Sequence, residues 1–192
     1  LNIIRDKSAG NDPAVYERMI ERCLVRISGM RKMIADLLDL TRIESGQKKR
    51  ELATVDLVDA ARAVIANNAL EAAERKVTVD LHADPGLQMI ADRGEIEIIL
   101  NNLVSNAIKY NRDGGRVDVT ISVADGRTTI SVADTGIGMT AEEAARLFGD
   151  FVRIKNEKTK NILGSGLGLS IVKKLVTLYG GDVSVSSQPD VG

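Results

Sequence analysis

In "NNLVSNAIKYN", residues 101–111, Asn102 and Asn106 stand four residues apart, with Lys109 and Tyr110 one turn on. Ile96, Ile99, Leu100, Leu103 and Ala107 recur at the spacing of one helical face, so the segment is an amphipathic helix with a polar line beside its apolar one. Asparagine is a mediocre helix former because its amide competes for the backbone. Two roles stay open for such a pair. They are core amides bonded to neighbouring backbone, or Asn oxygens serve as hard, neutral ligands for a magnesium ion that also carries phosphate, with Lys109 meeting the phosphate charge.

Two glycine-rich stretches bear on that choice. "DTGIGM" (134–139) leaves an alternating strand, and "GSGLGLSIV" (164–172) opens a helix. Gly164, Gly166 and Gly168 sit just before and at a helix N-terminus, where free N–H groups and the dipole favour anions such as phosphate. Neither stretch is a Walker A loop. The second fails the dinucleotide fingerprint too, because Leu169 stands where its third glycine belongs. Asp134 at a strand end could accept from an exocyclic amine, with Gly136 and Gly138 letting backbone approach a flat ring, or it could simply cap a turn.

These residues need elements to position them. A helix from Pro13 to Glu44, with Asp12 as N-cap, would be about 48 Å long. In it Tyr16, Ile20, Cys23, Ile27, Met30, Ile34, Leu37 and Thr41 alternate spacings of four and three, a heptad seam widened by Leu24 and Leu38. Such a seam lies along its own globular domain or calls for partner helices; oligomerisation is the expectation, as a homodimer through this helix. Before it, "LNIIRDKSAG" is a helical stub and turn; after it, "SGQKKREL" (45–52) is a charged connector that puts a domain boundary at Gly46. The domain organisation expected is 1–46 helical and 47–192 mixed α/β.

In the second domain "VDAARAVIANNALEAAERK" predicts one helix and "VTVDLHA" a strand. "RVDVTISVADGRTTISVADTG" predicts two strands joined at Asp125-Gly126, "TAEEAARLFG" a helix with Thr140 and Glu143 as capping box, and "DVSVSS" a final strand. Antiparallel strands with helices on one face make the fold class α+β, a two-layer sandwich preceded by a long helix.

Composition narrows the function. With 26 basic and 27 acidic residues the net charge is −1, so no global field draws the chain to nucleic acid or anionic lipid. The single cysteine, Cys23, excludes a disulfide framework and fits a reducing compartment. No apolar run approaches a membrane span.

The boxes "NLVSNAIKY", "DTGIGM", "LFGDFVR" and "GSGLGLSIV", in that order, resemble the N, G1, F and G2 boxes of the sensor histidine kinases, and "LLDLTRIESG" (37–46) is similar to the end of their second dimerisation helix. The resemblance implies the Bergerat ATP-binding fold and, as cofactors, ATP with magnesium. It makes Asn106 the magnesium ligand, supported by Asn102, and places Lys109 and Tyr110 on the nucleotide. Asp134 would read adenine in a pocket shaped by Gly136, Ile137 and Gly138. Gly164, Ser165, Gly166, Leu167, Gly168 and Leu169 would form the phosphate loop. Phe148 and Phe151 match the F box beside a lid from Thr140 to Leu163. In that lid Arg153 is the expected contact to the terminal phosphate, while Lys155, Lys158 and Lys160 read as solvated charge.

The family's phosphoacceptor histidine has no counterpart here. His82, the only histidine, sits on the outward side of an alternating strand, so the acceptor is expected upstream of Leu1. The family also adds a strand after "DVG". The resulting expectation is the catalytic portion of a bacterial cytoplasmic kinase, its parent possibly membrane-anchored, that phosphorylates a histidine for relay to a response-regulator receiver domain. The fragment alone would bind ATP without autophosphorylating. The rival readings are a non-catalytic signalling scaffold and a serine kinase of the anti-sigma type.

Overall fold

The computed structural model describes residues 12–45, 50–154, 159, 162 and 164–192. The N-terminal stub, most of the charged connector with Gly46, and Lys155, Lys158 and Lys160 lie outside the described residues.

Helix α1 spans Pro13–Ser45. Asp12 Oδ1 accepts from Ala14 N at 2.9 Å, the expected cap. The apolar seam lies open: Ile20, Leu24, Ile27, Met30, Ile34, Leu37 and Leu38 are 44% to 63% exposed. Only the end of the helix docks, where Leu40 is buried and Ile43 packs on the core.

The rest follows as β1 (Ala53–Asp56), α2 (Leu57–Asn67), α3 (Ala69–Glu74), β2 (Thr78–Ala83), β3 (Gln88–Ala91), α4 (Arg93–Lys109), β4 (Arg116–Ala124), β5 (Arg127–Asp134), α5 (Ala141–Arg146) and α6 (Gly168–Leu178). Strands β2, β4 and β5 form a sheet in that order, and β1 pairs β3 in a small antiparallel one. Helices α2, α4 and α6 cover one face. Their apolar sides, including Val64, Leu100, Ile108, Ile171 and Leu175, meet Val117, Val119 and Ile121 of β4 in one core. The other face carries Thr78, Asp80, His82, Thr120 and Ser122 into solvent. His82 is exposed there, its Nε2 2.9 Å from Asp118 Oδ1.

Four expectations need correction. The main sheet is mixed, because β2 pairs β4 in parallel; the connection between them contains α4, and a helical crossover returns the chain in the same direction. The helix expected after Val58 breaks at Asn68, whose Nδ2 donates to Val64 O (2.8 Å) and to Asn101 Oδ1 (3.0 Å) in place of continuing the turn. Strands β1 and β3 were not foreseen, being four residues each. "DVSVSS" is extended but joins no ladder among the described residues: Val183 packs on the core while Ser184, Val185 and Ser186 face solvent. The hairpin is as expected, with Asp125 (φ 52°) and Gly126 (φ 72°) supplying the left-handed pair that a two-residue turn between twisted strands requires.

Candidate functional site

Helix α4 begins at its N-cap Asp92. Burial of Ile96, Ile99, Leu100, Val104, Ala107 and Ile108 on the core fixes its rotation. Asn102 is therefore 8% exposed, its Nδ2 donating to Ile98 O at 2.9 Å. Its Oδ1 lies against Gly168, where a Cβ would collide with it, so the amide marks the contact between α4 and the start of α6. One turn on, half-buried Asn106 lines a groove and makes no side-chain hydrogen bond among the described residues.

Lys109 and Tyr110 follow on the same wall, with the ammonium 5.5 Å from the Tyr110 ring centre. Lys109 has no ion pair among the described residues. Burial pushes its pKa down to about 8, and the charge of Lys32 adds to this; Glu71 opposes, while Arg153 and Arg75 reinforce the depression. Burial also raises the Tyr110 phenol, against the effect of Arg153.

The opposite wall is the loop after β5. Asp134 Oδ1 accepts from Gly136 N at 2.8 Å, and Tyr110 O accepts from Ile137 N at 3.1 Å, tying this loop to the end of α4. Burial raises the Asp134 carboxyl, partly offset by the Gly136 N–H. Gly138 has φ +60°, and a Cβ there would collide with the Gln188 carbonyl. The terminal segment thus backs the loop, with Asp190 N donating to Ile137 O (2.9 Å) and Met139 N to Ser187 Oγ (2.9 Å).

Beyond it, α5 carries the expected capping box of Thr140 and Glu143. Phe148 and Arg153 line the groove, and Arg153 Nη2 donates to Ile162 O at 2.7 Å. Phe151, 64% exposed at φ 59°, stays outside it. At the third wall, Gly166 adopts φ +77°, and a Cβ there would lie 2.8 Å from Val152 O. Ser165 Oγ accepts from Leu167 N (3.2 Å) and donates to Asp36 Oδ2 (2.5 Å). Leu167 is fully buried beneath the loop.

Asn102, Asn106, Lys109, Tyr110, Asp134, Ile137, Gly138, Arg153, Gly164, Ser165, Gly166, Gly168 and Leu169 all face one groove of about 1370 Å³. Gly136 and Leu167 support it from below, and Phe151 is the one remaining predicted residue that it does not include. Among the residues that sequence reasoning passed over, Lys32 and Asp36 of α1 and Glu71 of α3 also line it. None carries a sequence signal, since Lys32 and Asp36 read as ordinary polar positions beside the seam and Glu71 as a charged helix position.

The histidine kinase-, DNA gyrase B- and HSP90-like ATPase family matches residues 91–192. The chain belongs to that family. The sensor-like histidine kinase SenX3 of Mycolicibacterium smegmatis is 28% identical over 185 residues, 96% of this chain and 48% of that protein. The crystal structure of full-length ShkA in complex with AMPPNP superposes with a TM-score of 0.75 at 30% identity, covering 91% of this chain and 36% of that one. The histidine kinase ThkA in complex with the response regulator TrrA gives a TM-score of 0.71 at 23% identity over 93% of this chain and 49% of that one. This chain therefore spans about half the length of SenX3 and less of ShkA. Its α/β portion is an ATP-binding domain of the sensor histidine kinase type, a long helix preceding the sheet-and-helix layer.

Proposed function

We propose that this chain is the catalytic portion of a sensor histidine kinase, holding Mg-ATP so that a histidine outside the chain attacks the γ-phosphoryl group. The observation that supports it most is convergence: α4, the loop after β5 and the loop before α6 bring an amide and a half-buried lysine with no ion pair among the described residues, a half-buried carboxylate and a glycine loop to one groove.

Each group has a part. Asp134 accepts from the adenine amine, with Gly136, Ile137 and Gly138 forming the floor. The backbone of Gly164 to Leu169, at the start of α6, faces the phosphates, and Lys109 and Arg153 supply positive charge. Asn106 fits magnesium, because its amide oxygen is a hard, neutral donor with no protein partner among the described residues. When bound, magnesium neutralises charge on the phosphate oxygens.

Transfer forms a bond from the histidine nitrogen to the γ-phosphorus and breaks the bridging β–γ bond, releasing ADP; a response-regulator aspartate then takes the phosphoryl group. The protein contributes orientation and charge stabilisation. Asn102 offers an amide already engaged with Ile98 O, so water is not activated by a carboxylate and net hydrolysis is slow. The exposed seam of α1 pairs with a second copy, making a homodimer, and the boundary between the helical and catalytic parts is at Gly46, between 1–46 and 47–192.

Calorimetric titration with a non-hydrolysable ATP analogue, with and without magnesium, tests the reading. Magnesium-dependent binding by the chain and its loss in Asp134→Ala are expected. A folded chain that binds no nucleotide overturns it.

A further inference from the structure

Helix α1 reaches the groove, and the reading above gives it no part in binding nucleotide. Lys32 and Asp36, one turn apart, both line the wall beside Lys109, Asn106 and the glycine loop. Residues 30–35 are all exposed, yet Asp36 is 9% exposed. The reason is its bond to Ser165 Oγ, which links α1 through Ser165 to Leu167 N at the entry of α6. With Leu40 buried one turn further on, this bond is the last fixed point before the helix runs out along its open seam.

Lys32 makes no ion pair among the described residues, Asp36 one turn on standing in the less favourable basic-before-acidic order and bonded to Ser165. Its charge instead acts on Lys109, another lysine without a counter-ion. Two ammonium groups face one groove; Asp36 is engaged by a serine hydroxyl, and Glu71, which also lines the groove, offsets the depression of Lys109 only in part, which leaves a place for an added anion.

We propose that Lys32 is a phosphate-binding residue of the nucleotide site, held in place by the Asp36–Ser165 bond, so that α1 forms one wall of the site within its own chain. The proposal rests on the groove being a polyphosphate site. Ser165 is then a positioning residue, acting through α1 as well as through its own loop. The neighbouring Asp36 carboxylate works against the nucleotide charge, and its hydrogen bond from Ser165 is what keeps it there.

The test is titration of the full chain with magnesium and AMPPNP at low and high salt. Lys32→Gln weakens binding about fivefold at low salt, and the difference shrinks at high salt where a partly exposed charge is screened. Ser165→Ala weakens it by a similar factor. The double variant is no weaker than about fivefold, because either change removes the same contact, whereas independent effects would multiply. Asp36→Asn keeps an acceptor for Ser165, removes a negative charge, and binds at least as tightly as the parent chain. Lys32 is exposed, so its variant is expected to fold normally, which circular dichroism checks. Binding by Lys32→Gln within twofold of the parent at low salt, or multiplying effects in the double variant, overturns the proposal while leaving the nucleotide site standing. Absence of binding by the parent chain itself overturns the nucleotide reading, and this proposal with it.

Discussion

Lys109 offers the sharpest probe of the groove. Its pKa is pushed down to about 8 chiefly by burial, with Lys32 next. A polyphosphate beside it supplies the missing counter-charge and restores a value near the ordinary ~10.4. That restoration corresponds to a ceiling of about 3 kcal/mol at ~1.36 kcal/mol per tenfold in proton affinity; screening at a half-buried ammonium leaves about 1–2 kcal/mol. Nucleotide binding then draws protons onto Lys109, so affinity falls by about four- to sevenfold between pH 7 and pH 9, as the free protein loses the charge that the complex keeps. At pH 8.5 binding takes up about 0.4–0.7 proton, which titration calorimetry reads by repeating the measurement in two buffers of different ionisation enthalpy. In Lys109→Met both the pH slope and the proton uptake disappear. The same depressed pKa makes unliganded stability rise with pH between about 8 and ~10.4, where the unfolded chain holds the proton that the fold has released. An affinity independent of pH from 7 to 9, or an equal slope in Lys109→Met, would refute the assignment of Lys109 to the phosphates.

The remaining expectations concern other walls of the groove and the fold beneath it. Because burial raises the Asp134 carboxyl, nucleotide binding weakens on acidification starting above the pH at which an ordinary aspartate titrates, and Asp134→Asn, which cannot ionise, shows no such acid limb in the same titration. Asn106→Ala abolishes the magnesium dependence of analogue binding while leaving weak, magnesium-independent binding; a variant that still responds to magnesium removes Asn106 as the ligand. Tyr179→Phe deletes a hydroxyl that donates to Glu95 Oε2 at 2.6 Å and accepts from Asp92 N at 2.9 Å, and costs about 1–2 kcal/mol in urea denaturation with an unchanged slope. Ile34→Glu in the open seam shifts sedimentation from dimer to monomer at micromolar concentration without changing the far-ultraviolet circular dichroism per residue.

What was legible in the sequence was local. The α4 helix, the capping box of α5 and the Asp125-Gly126 hairpin are each specified within about a dozen residues, by apolar period, cap chemistry or left-handed turn residues, and each occurs where the pattern puts it. The misses are places where a distant partner decides. Strand direction in β2 depends on the crossover through α4 and not on alternation within "VTVDLHA". Val183 and Val185 alternate as a strand should, but alternation describes burial on one side and cannot supply a ladder partner. Asn68 breaks a helix-forming run because Asn101, 33 residues away, meets its amide. At the groove, nearly all the residues picked out by type do line it, since glycine, asparagine and a lone aspartate in loops are conspicuous, but the apolar and strand positions that complete its walls carried no such mark. Asp36 was invisible because its burial comes from Ser165, 129 residues on.

The groove also depends on a network at the far end of the helices that build it. Arg50 donates to both Glu95 carboxylate oxygens at 2.8 to 3.1 Å, and its guanidinium lies 4.4 Å from the Tyr179 ring centre. Glu51 N donates to Asp92 Oδ2, so the segment that follows the connector is fastened to the N-terminus of α4 and, through Tyr179, to the C-terminal end of α6. The opposite ends of the same two helices, Lys109 of α4 and Gly168 of α6, carry the lysine and the phosphate loop. With Glu95 3% exposed, loss of one partner would leave a buried charge, so the network resists partial opening. Held at one end by this cluster and at the other by Asn102 against Gly168, α4 and α6 cannot slide past one another without breaking both contacts. The site is thereby fixed by the core at α4 and α6, and the stretch of α1 that carries Asp36 and Lys32 is joined to it through buried Leu40 and the Asp36–Ser165 bond.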